Sequence, residues 1–522
     1  MVTSTYITER SIRGGNSSRA QRGGSMTSVA IIGAGFSGLA AAVQLIAAGH
    51  DVTVYERAED VGGVWRENTY PGAACDVPSA YYCFSFEPNP RWSRRYAPQQ
   101  EILSYLRAAA DKYGVRERIR FGTAIISADF SPASNQWRLE TSSGDQFWAD
   151  VLVPAVGQLS QPALPPIPGR DSFTGTSFHS AQWDGNVLLS GKRVAVIGTG
   201  ASAIQLVPEL APIVASMTVF QRSAPHIVPR PDSRLTRMHH VLASLLPVTL
   251  RAQRLAWFAL TEGFTGVLQY SPMLSRIMTG LSRTYMRYQI RGDAALFEKV
   301  WPDYPLGCKR VLFSNTYLPA LRRENITLVT DPIAQITPHG VLSDTGEYHE
   351  VDVIIYGTGF TASGFLDHVA VAGLSDTKLR DRWSQGARAY LGMAVPGFPN
   401  MFLMYGPNTN LGSGSIVAML ECQATYIRQA VDALGRGVAL DVKPEVEEVY
   451  DRGLQARLTA GVWSRCDSWY VGPDGRVTTN WPGLIREYRS RTQQFTVADY
   501  RVLLPEPAAP GRHVAITERG DR

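Results

Sequence analysis

A strand, a glycine turn and a helix occur twice in this 522-residue chain, which makes it an α/β protein with two Rossmann-type dinucleotide-binding domains. Val29-Ala-Ile-Ile-Gly-Ala-Gly-Phe-Ser-Gly38 recurs in outline as Val194-Ala-Val-Ile-Gly-Thr-Gly-Ala-Ser-Ala203. Each copy runs into a helical pattern, LAAAVQLIAAG in the first and IQLVPELAPIV in the second. Each then meets another apolar strand, Asp51–Glu56 and Met217–Arg222. A repeated βαβ opening of this kind places two parallel sheets in one chain.

The glycines have separate physical jobs. Gly33 permits the tight turn, Gly35 lets backbone amides approach a pyrophosphate, and Gly38 lets helix and strand pack closely. The helix N-terminus then offers unpaired N–H groups and a partial positive charge to that pyrophosphate. Glu56 follows Gly33 by 23 positions and suits ribose hydroxyls, so the first site is expected to hold the adenosine of FAD. The second turn supplies Gly198, Gly200 and Ser202, with Ala203 at the third glycine position. There Gln221 stands where the first copy has Glu56, and Arg222 and Ser223 follow. A carboxylate would repel a 2′-phosphate, whereas a guanidinium binds one bidentately, so this site should prefer NADPH to NADH. A plain surface arginine is the alternative reading of Arg222.

Composition bounds the remaining possibilities. The length corresponds to three or four domains of about 150 residues, or two large ones. Hydrophobic residues make up 44%, charged residues 19%, and mean hydropathy is −0.10, as in ordinary globular proteins. The net charge of +5 suits phosphate-bearing ligands and is too weak to imply nucleic acid. Five cysteines, at 75, 83, 308, 422 and 466, form no CxxC, so neither a disulfide framework nor a zinc site is expected, and no metal. Residues 1–25 are rich in Ser, Gly and Arg without an apolar run, which reads as a flexible arm rather than a secretory signal. Met26, directly before the first strand, is a candidate natural start. Between 238 and 278, apolar stretches such as VLASLLPVTL and LAWFAL are interrupted by Pro247, Arg251, Arg254 and Glu262. No uncharged run is long enough to span a bilayer. A helical subdomain packed on a core is expected there, with a membrane-resting hairpin as the alternative.

Several further segments carry a family resemblance. Gly62-Gly63-Val64-Trp65, Tyr70-Pro71-Gly72 and Asp76 resemble the GGxW…YPGxxxD segment of class B flavin monooxygenases. Phe173-Thr-Gly175-Thr-Ser-Phe-His179-Ser-Ala-Gln-Trp183-Asp184 is similar at every fixed position to the FxGxxxHxxxW[P/D] fingerprint of type I Baeyer–Villiger monooxygenases. Val153–Gly157 and Tyr356–Phe360 resemble the family's ATG motifs, although neither reads ATG here. Gly307–Arg310, Gly397–Asn400 and Gly406–Asn408 match as well, so the resemblance covers roughly 29–488.

The resemblance implies FAD and NADPH as cofactors, O2 as co-substrate, and a flavin C4a-peroxide that inserts one oxygen atom next to a ketone carbonyl. The product would be an ester or lactone. Arg310 resembles the active-site arginine, which would hold developing negative charge, and Asp76 the aspartate that orients it. An arginine stays protonated, so it does not quench a peroxide anion. Lys309 resembles the residue assisting Arg222 on the 2′-phosphate, and Trp65 and Tyr82 would line the flavin pocket. His179, with Phe173, Gly175, Trp183 and Asp184, lies in the segment joining the nucleotide domains. A conformational role is expected of it rather than general-base catalysis. A helix after Asn410–Ser415 would point its N-terminus at the flavin ring. Oxygenation of sulfur or nitrogen in soft nucleophiles is the alternative chemistry, one that needs no equivalent of Arg310 and Asp76.

These readings divide the chain into an N-terminal arm (1–25), a first FAD-binding part (26–158), an NADPH-binding domain (159–360) with a helical subdomain near 232–305, and a second FAD-binding part (361–522). The expected partner is a small apolar ketone, with no nucleic acid and no obligatory membrane. The expected location is cytoplasmic, and oligomeric state is left open.

Overall fold

A computed structural model describes residues 26–468, 470–472 and 475–505. The expected arm at 1–25 lies outside the described residues. The first sheet begins with β1 (Ser28–Ile32), whose apolar run feeds the glycine turn and α1 (Phe36–Ala48). Gly49, in the left-handed region, ends that helix. β2 (Asp51–Tyr55), β3 (Ile119–Arg120) and β4 (Val151–Pro154) complete a parallel sheet of order β3-β2-β1-β4. Its central strands read as continuous apolar runs because both faces are covered.

The C-terminal third returns to this sheet. Backbone N–H groups of Leu152, Phe402 and Met404 donate to the carbonyls of Asn400, Leu152 and Pro154, so residues 400–404 extend the sheet beside β4. The Asn400 side chain donates to the carbonyls of Asp150 (3.0 Å) and Val438 (3.2 Å) and accepts from the Leu440 N–H. The Gly397–Asn400 segment is thereby explained as a stitch between distant parts of one unit.

The second sheet contains β5 (Thr176–His179), β6 (Arg193–Ile197), β7 (Ser216–Phe220), β8 (Ile326–Val329) and β9 (Val353–Tyr356). All pairings are parallel, in the order β8-β7-β6-β9-β5. The second glycine turn leads from β6 into α2 (Ala203–Leu210).

Between β7 and β8 run α3 (Arg237–Leu245), α4 (Val248–Tyr270) and α5 (Pro272–Gln289). Thr236 and Ser271 accept N-cap hydrogen bonds at α3 and α5, and Pro272 occupies the first turn of α5. The helical excursion is where the apolar pattern puts it, and its inner side packs on the core: Trp257 and Phe258 lie against the cluster of the first sheet, and Met286 is buried in that of the second. Only Leu250 and Thr265 of α4 are fully buried, because its other side is exposed. No helix among the described residues is long and apolar enough to cross a membrane.

α6 (Ile416–Asp432) is buried along most of its length and packs on α1. β10 (Ala439–Val442) and β11 (Tyr500–Leu503) pair antiparallel beyond it. The expectation of no disulfide is overturned, since Cys308 and Cys466 form one across 158 positions, while Cys75, Cys83 and Cys422 are free and buried. Local spacing carries no signal for a pair that only the tertiary fold brings together.

Candidate active site

At the first turn the Gly33 N–H donates to the Tyr55 carbonyl (2.8 Å), and Gly33 has φ 104°. A Cβ there would stand 2.7 Å from the Ala155 carbonyl oxygen. A Cβ on Gly38 would overlap the Gly33 carbonyl oxygen, so α1 lies directly on the turn. Gly35 faces Gly63, whose own Cβ would come within 3.2 Å of the Gly35 Cα. Two bare backbone segments therefore meet in a slot at the uncapped N-terminus of α1, a cradle that fits a pyrophosphate. Glu56 is buried beside it and accepts from the N–H groups of Ala34 (2.7 Å) and Ala58 (3.0 Å). Its carboxylate oxygens keep lone pairs for ribose hydroxyls. Phe36, Tyr82 and Trp65 form an aromatic wall nearby: Tyr82 packs edge-on against Phe36 at 5.2 Å, and the Trp65 Nε1–H donates to the Tyr82 hydroxyl (3.2 Å).

At the second turn Gly198 has φ 108°, and a Cβ there would overlap the Gly357 carbonyl. Gly200 faces open space. Ala203 is fully buried, and its methyl sits 3.4 Å from where a Cβ on Gly357 would be. Room lost by replacing the third glycine is thus returned by a glycine on the strand end opposite. Ser202 stands at the N-cap of α2 without a side-chain cap hydrogen bond. Gln221 is buried and donates to the Lys299 carbonyl (2.6 Å), so the position matching Glu56 serves packing here. Beyond β7, Lys309 Nζ donates to Ser223 Oγ (3.0 Å). Burial, with Arg222 alongside, lowers the Lys309 pKa. Arg222, Ser223 and Lys309 converge on one spot suited to a dianionic phosphate.

Arg310 and Asp76 form a bidentate ion pair. Nε donates to one carboxylate oxygen (2.9 Å) and Nη2 to both (2.8 and 2.6 Å). Asp76 raises the arginine pKa further, against the pull of burial, so the guanidinium stays charged. The disulfide at Cys308 fastens this arginine's loop to the segment leading to Tyr470. Tyr470 is buried close enough to feel Arg310, and burial pushes its hydroxyl up to about 12. Tyr405, with φ 59°, also lies within the charge field of Arg310 and donates to Asn410 Oδ1 (2.8 Å). Trp469, in the Cys466–Tyr470 segment that reads as a pocket or nicotinamide-side loop, is outside the described residues.

The Tyr70–Gly72 segment docks on α2. The Tyr70 hydroxyl donates to Gln205 Oε1 (2.9 Å), and Gln205 Nε2 donates to the Ala74 carbonyl (2.9 Å). A Cβ on Gly72 would meet the Gln205 carbonyl at 2.7 Å. Sequence reading missed Gln205 and Tyr405 as site residues, and took Tyr470 only as part of the Cys466–Tyr470 loop, without separating a pocket role from a nicotinamide-side one. The only local signals for the first two were their places in the first turn of α2 and before Gly406-Pro-Asn408.

His179 ends β5, opposite Tyr356 of β9. It is buried, its Nδ1 accepts from the Ala181 N–H (3.1 Å), and its ring packs edge-on against Phe360 at 5.5 Å. Burial lowers its pKa. Trp183 packs on Phe178, Gly175 admits the Phe173 ring and the Asp352 carbonyl, and Asp184 Oδ1 accepts from the Asn186 N–H (2.9 Å). These residues brace one edge of the second sheet.

Comparison with known proteins bears directly on this arrangement. Residues 26–252 match the family model for flavin-binding monooxygenase-like proteins. The chain is 41% identical over 487 residues to a Baeyer–Villiger monooxygenase of Pseudomonas aeruginosa, covering 92% of each. The chain belongs to the Baeyer–Villiger monooxygenase family. Solved structures of similar proteins include OTEMO in complex with FAD and NADP, with a TM-score of 0.82, 27% identity, and coverage of 91% of this chain and 99% of that one. Cyclohexanone monooxygenase from Rhodococcus sp. Phi1 bound to NADP+ gives a TM-score of 0.83 at 28% identity, over 92% and 100% of the two chains. As a Baeyer–Villiger monooxygenase fold, this chain carries both nucleotide turns and the Arg310–Asp76 pair.

Proposed function

We propose that this chain is an NADPH- and O2-dependent flavin monooxygenase that inserts one oxygen atom next to the carbonyl of an apolar ketone, giving an ester or lactone. The bidentate Arg310–Asp76 pair carries the reading. Bound FAD, reduced by NADPH and reoxidised by O2, supplies the activated oxygen. The slot at Gly33, Gly35 and Gly63, with Glu56, fits the pyrophosphate and ribose of that flavin. Arg222, Ser223 and Lys309 fit the 2′-phosphate of NADPH.

Asp76 takes Nε and Nη2 of Arg310, which fixes the plane of the guanidinium. A fixed cation there stabilises negative charge developing on the oxygen being transferred and on the substrate carbonyl, without donating a proton. Buried Tyr470 and half-buried Tyr405 beside it help keep bulk water away. The fingerprint acts by holding the linker to the second sheet, since Nδ1 of His179 is committed to a backbone N–H. Residues 26–158 and 361–522 form the flavin unit, supported by the 400–404 extension of the first sheet, and 159–360 form the NADPH unit. The test is NADPH consumption over a panel of ketones and sulfides with product identification. Ester formation supports the reading, and sulfoxide from many sulfides with no ester from any ketone overturns it.

A further inference from the structure

We propose that the outer face of α3, α4 and α5 is a docking surface for an anionic phospholipid bilayer, on which the protein rests without crossing it. Single exposed apolar side chains are ordinary on a protein surface. Here they recur on three consecutive, contacting helices: Met238 is 79% exposed, Leu245 73%, Val248 63%, Leu255 60%, Met273 71% and Leu281 59%. On α4 the exposed positions Val248, Ala252, Leu255 and Ala259 repeat at helical spacing, with Arg251 the charge among them. The inner sides of the same helices are committed to the body. Leu250 and Trp257 line a cavity of about 270 Å³ against Pro78, Ala80 and Trp92.

Charge selects the occupant. Residues 237–291 contain seven arginines, no lysine or aspartate, and one glutamate. That glutamate, Glu262, accepts from the backbone N–H groups of Ile485 (2.7 Å) and Arg486 (3.3 Å), so it does not offset the outer face. Arg254 turns inward to Glu421 and the Cys83 carbonyl, and Arg283 and Arg287 lie over the Phe297 and Trp301 rings, which leaves Arg237, Arg251, Arg276 and Arg291 exposed beside the apolar stripes. A symmetric contact with a second copy would set this cationic face against itself. An anionic bilayer takes the apolar stripes into its acyl boundary and pairs the arginines with headgroup phosphates. At about 1.5 Å per residue, the 23 residues of α4 lie along the surface as an interfacial helix.

The test uses the purified full-length flavoprotein in flotation assays with vesicles of phosphatidylcholine alone and of phosphatidylcholine mixed with phosphatidylglycerol. The expected result is flotation with the mixed vesicles and about tenfold or more weaker binding to phosphatidylcholine alone, with binding reduced by added salt. Leu245→Asp, Leu255→Asp and Leu281→Asp combined should weaken vesicle binding about tenfold or more, with flavin absorbance and NADPH oxidation unchanged. Arg276→Gln, at an exposed position, should weaken it about fivefold and serves if the triple variant fails to fold. Absence of flotation overturns the proposal, as does equal binding to both vesicle types or full binding by the leucine variant. A dimer that these substitutions convert to monomer overturns it in favour of a contact between copies of this chain.

Discussion

Arg310 and Asp76 stand 234 positions apart and meet through two guanidinium nitrogens. If this pair holds charge in the reaction, Arg310→Ala should still allow NADPH to reduce the flavin while ester formation falls by about a hundredfold or more. Stopped-flow reduction and product analysis separate the two steps. Arg222 has a similarly specific job. Arg222→Ala should raise the KM for NADPH about tenfold or more and leave that for NADH nearly unchanged, since a charge-assisted bond to phosphate is lost only with the phosphorylated cofactor. Asp441 carries a pH signature instead. It is buried and accepts from the Gly397 N–H (2.7 Å), and burial raises its pKa to about 6 from an ordinary 3.8, against the pull of Arg501 and Arg382. An acid whose folded-state pKa is raised contributes stability that is present below its unfolded pKa and lost as pH rises through the folded value. Ionisation of Asp441 should therefore cost up to about 3 kcal/mol above pH 6. Asp441→Asn keeps the acceptor for Gly397, so its Tm should exceed that of the parent at pH 7.5 and match it near pH 4, as thermal melts across that range would show.

At the scale of elements, both βαβ openings are legible because glycine spacing and apolar runs report local sterics. Gly38 is decisive: a Cβ would overlap the Gly33 carbonyl oxygen, which as backbone has no rotamer to adopt. Gly38→Ala should force α1 off β1 at a cost of about 4 kcal/mol or more, and the purified protein should lack flavin absorbance. The second turn departs from the pattern at Ala203, and the departure looks like a loss until Gly357 is seen across from its methyl. That compensation joins residues 154 positions apart in sequence, so no local pattern reports it. The helices of the 237–289 excursion follow from their periodicity and caps. Which of their faces is covered does not, because an apolar stripe has the same spacing whether it meets a core, a second chain or a bilayer. The Tyr70–Gly72 segment shows the same limit. Its glycine is legible as a turn, but its reason is the close approach of α2 and the Gln205 hydrogen bonds.

In the whole molecule, the disulfide links the Arg310 loop to the C-terminal segment, across two parts of the chain that the sequence reading kept separate. Denatured without reductant, the protein should titrate three thiols, Cys75, Cys83 and Cys422, and five after reduction. Five thiols in both conditions would show that the pair is open. The amino-acid sequence by itself determined the two nucleotide turns, the choice of Glu56 against Arg222 and Ser223, and the candidate pair Arg310 and Asp76. The turns and that choice depend on backbone room or on charge at a fixed offset, quantities written locally in the chain, whereas the pair was legible only through the family resemblance of its flanking motifs. The tertiary structure alone decided that Asp76 and Arg310 actually meet, that Lys309 reaches Ser223, and that Tyr405 and Tyr470 come near the arginine. It alone decided that Cys308 finds Cys466 and that the outer face of α3–α5 is left uncovered. Those are contacts across large sequence separations, fixed by how the layers pack, and residue type at a single position does not encode its distant neighbour.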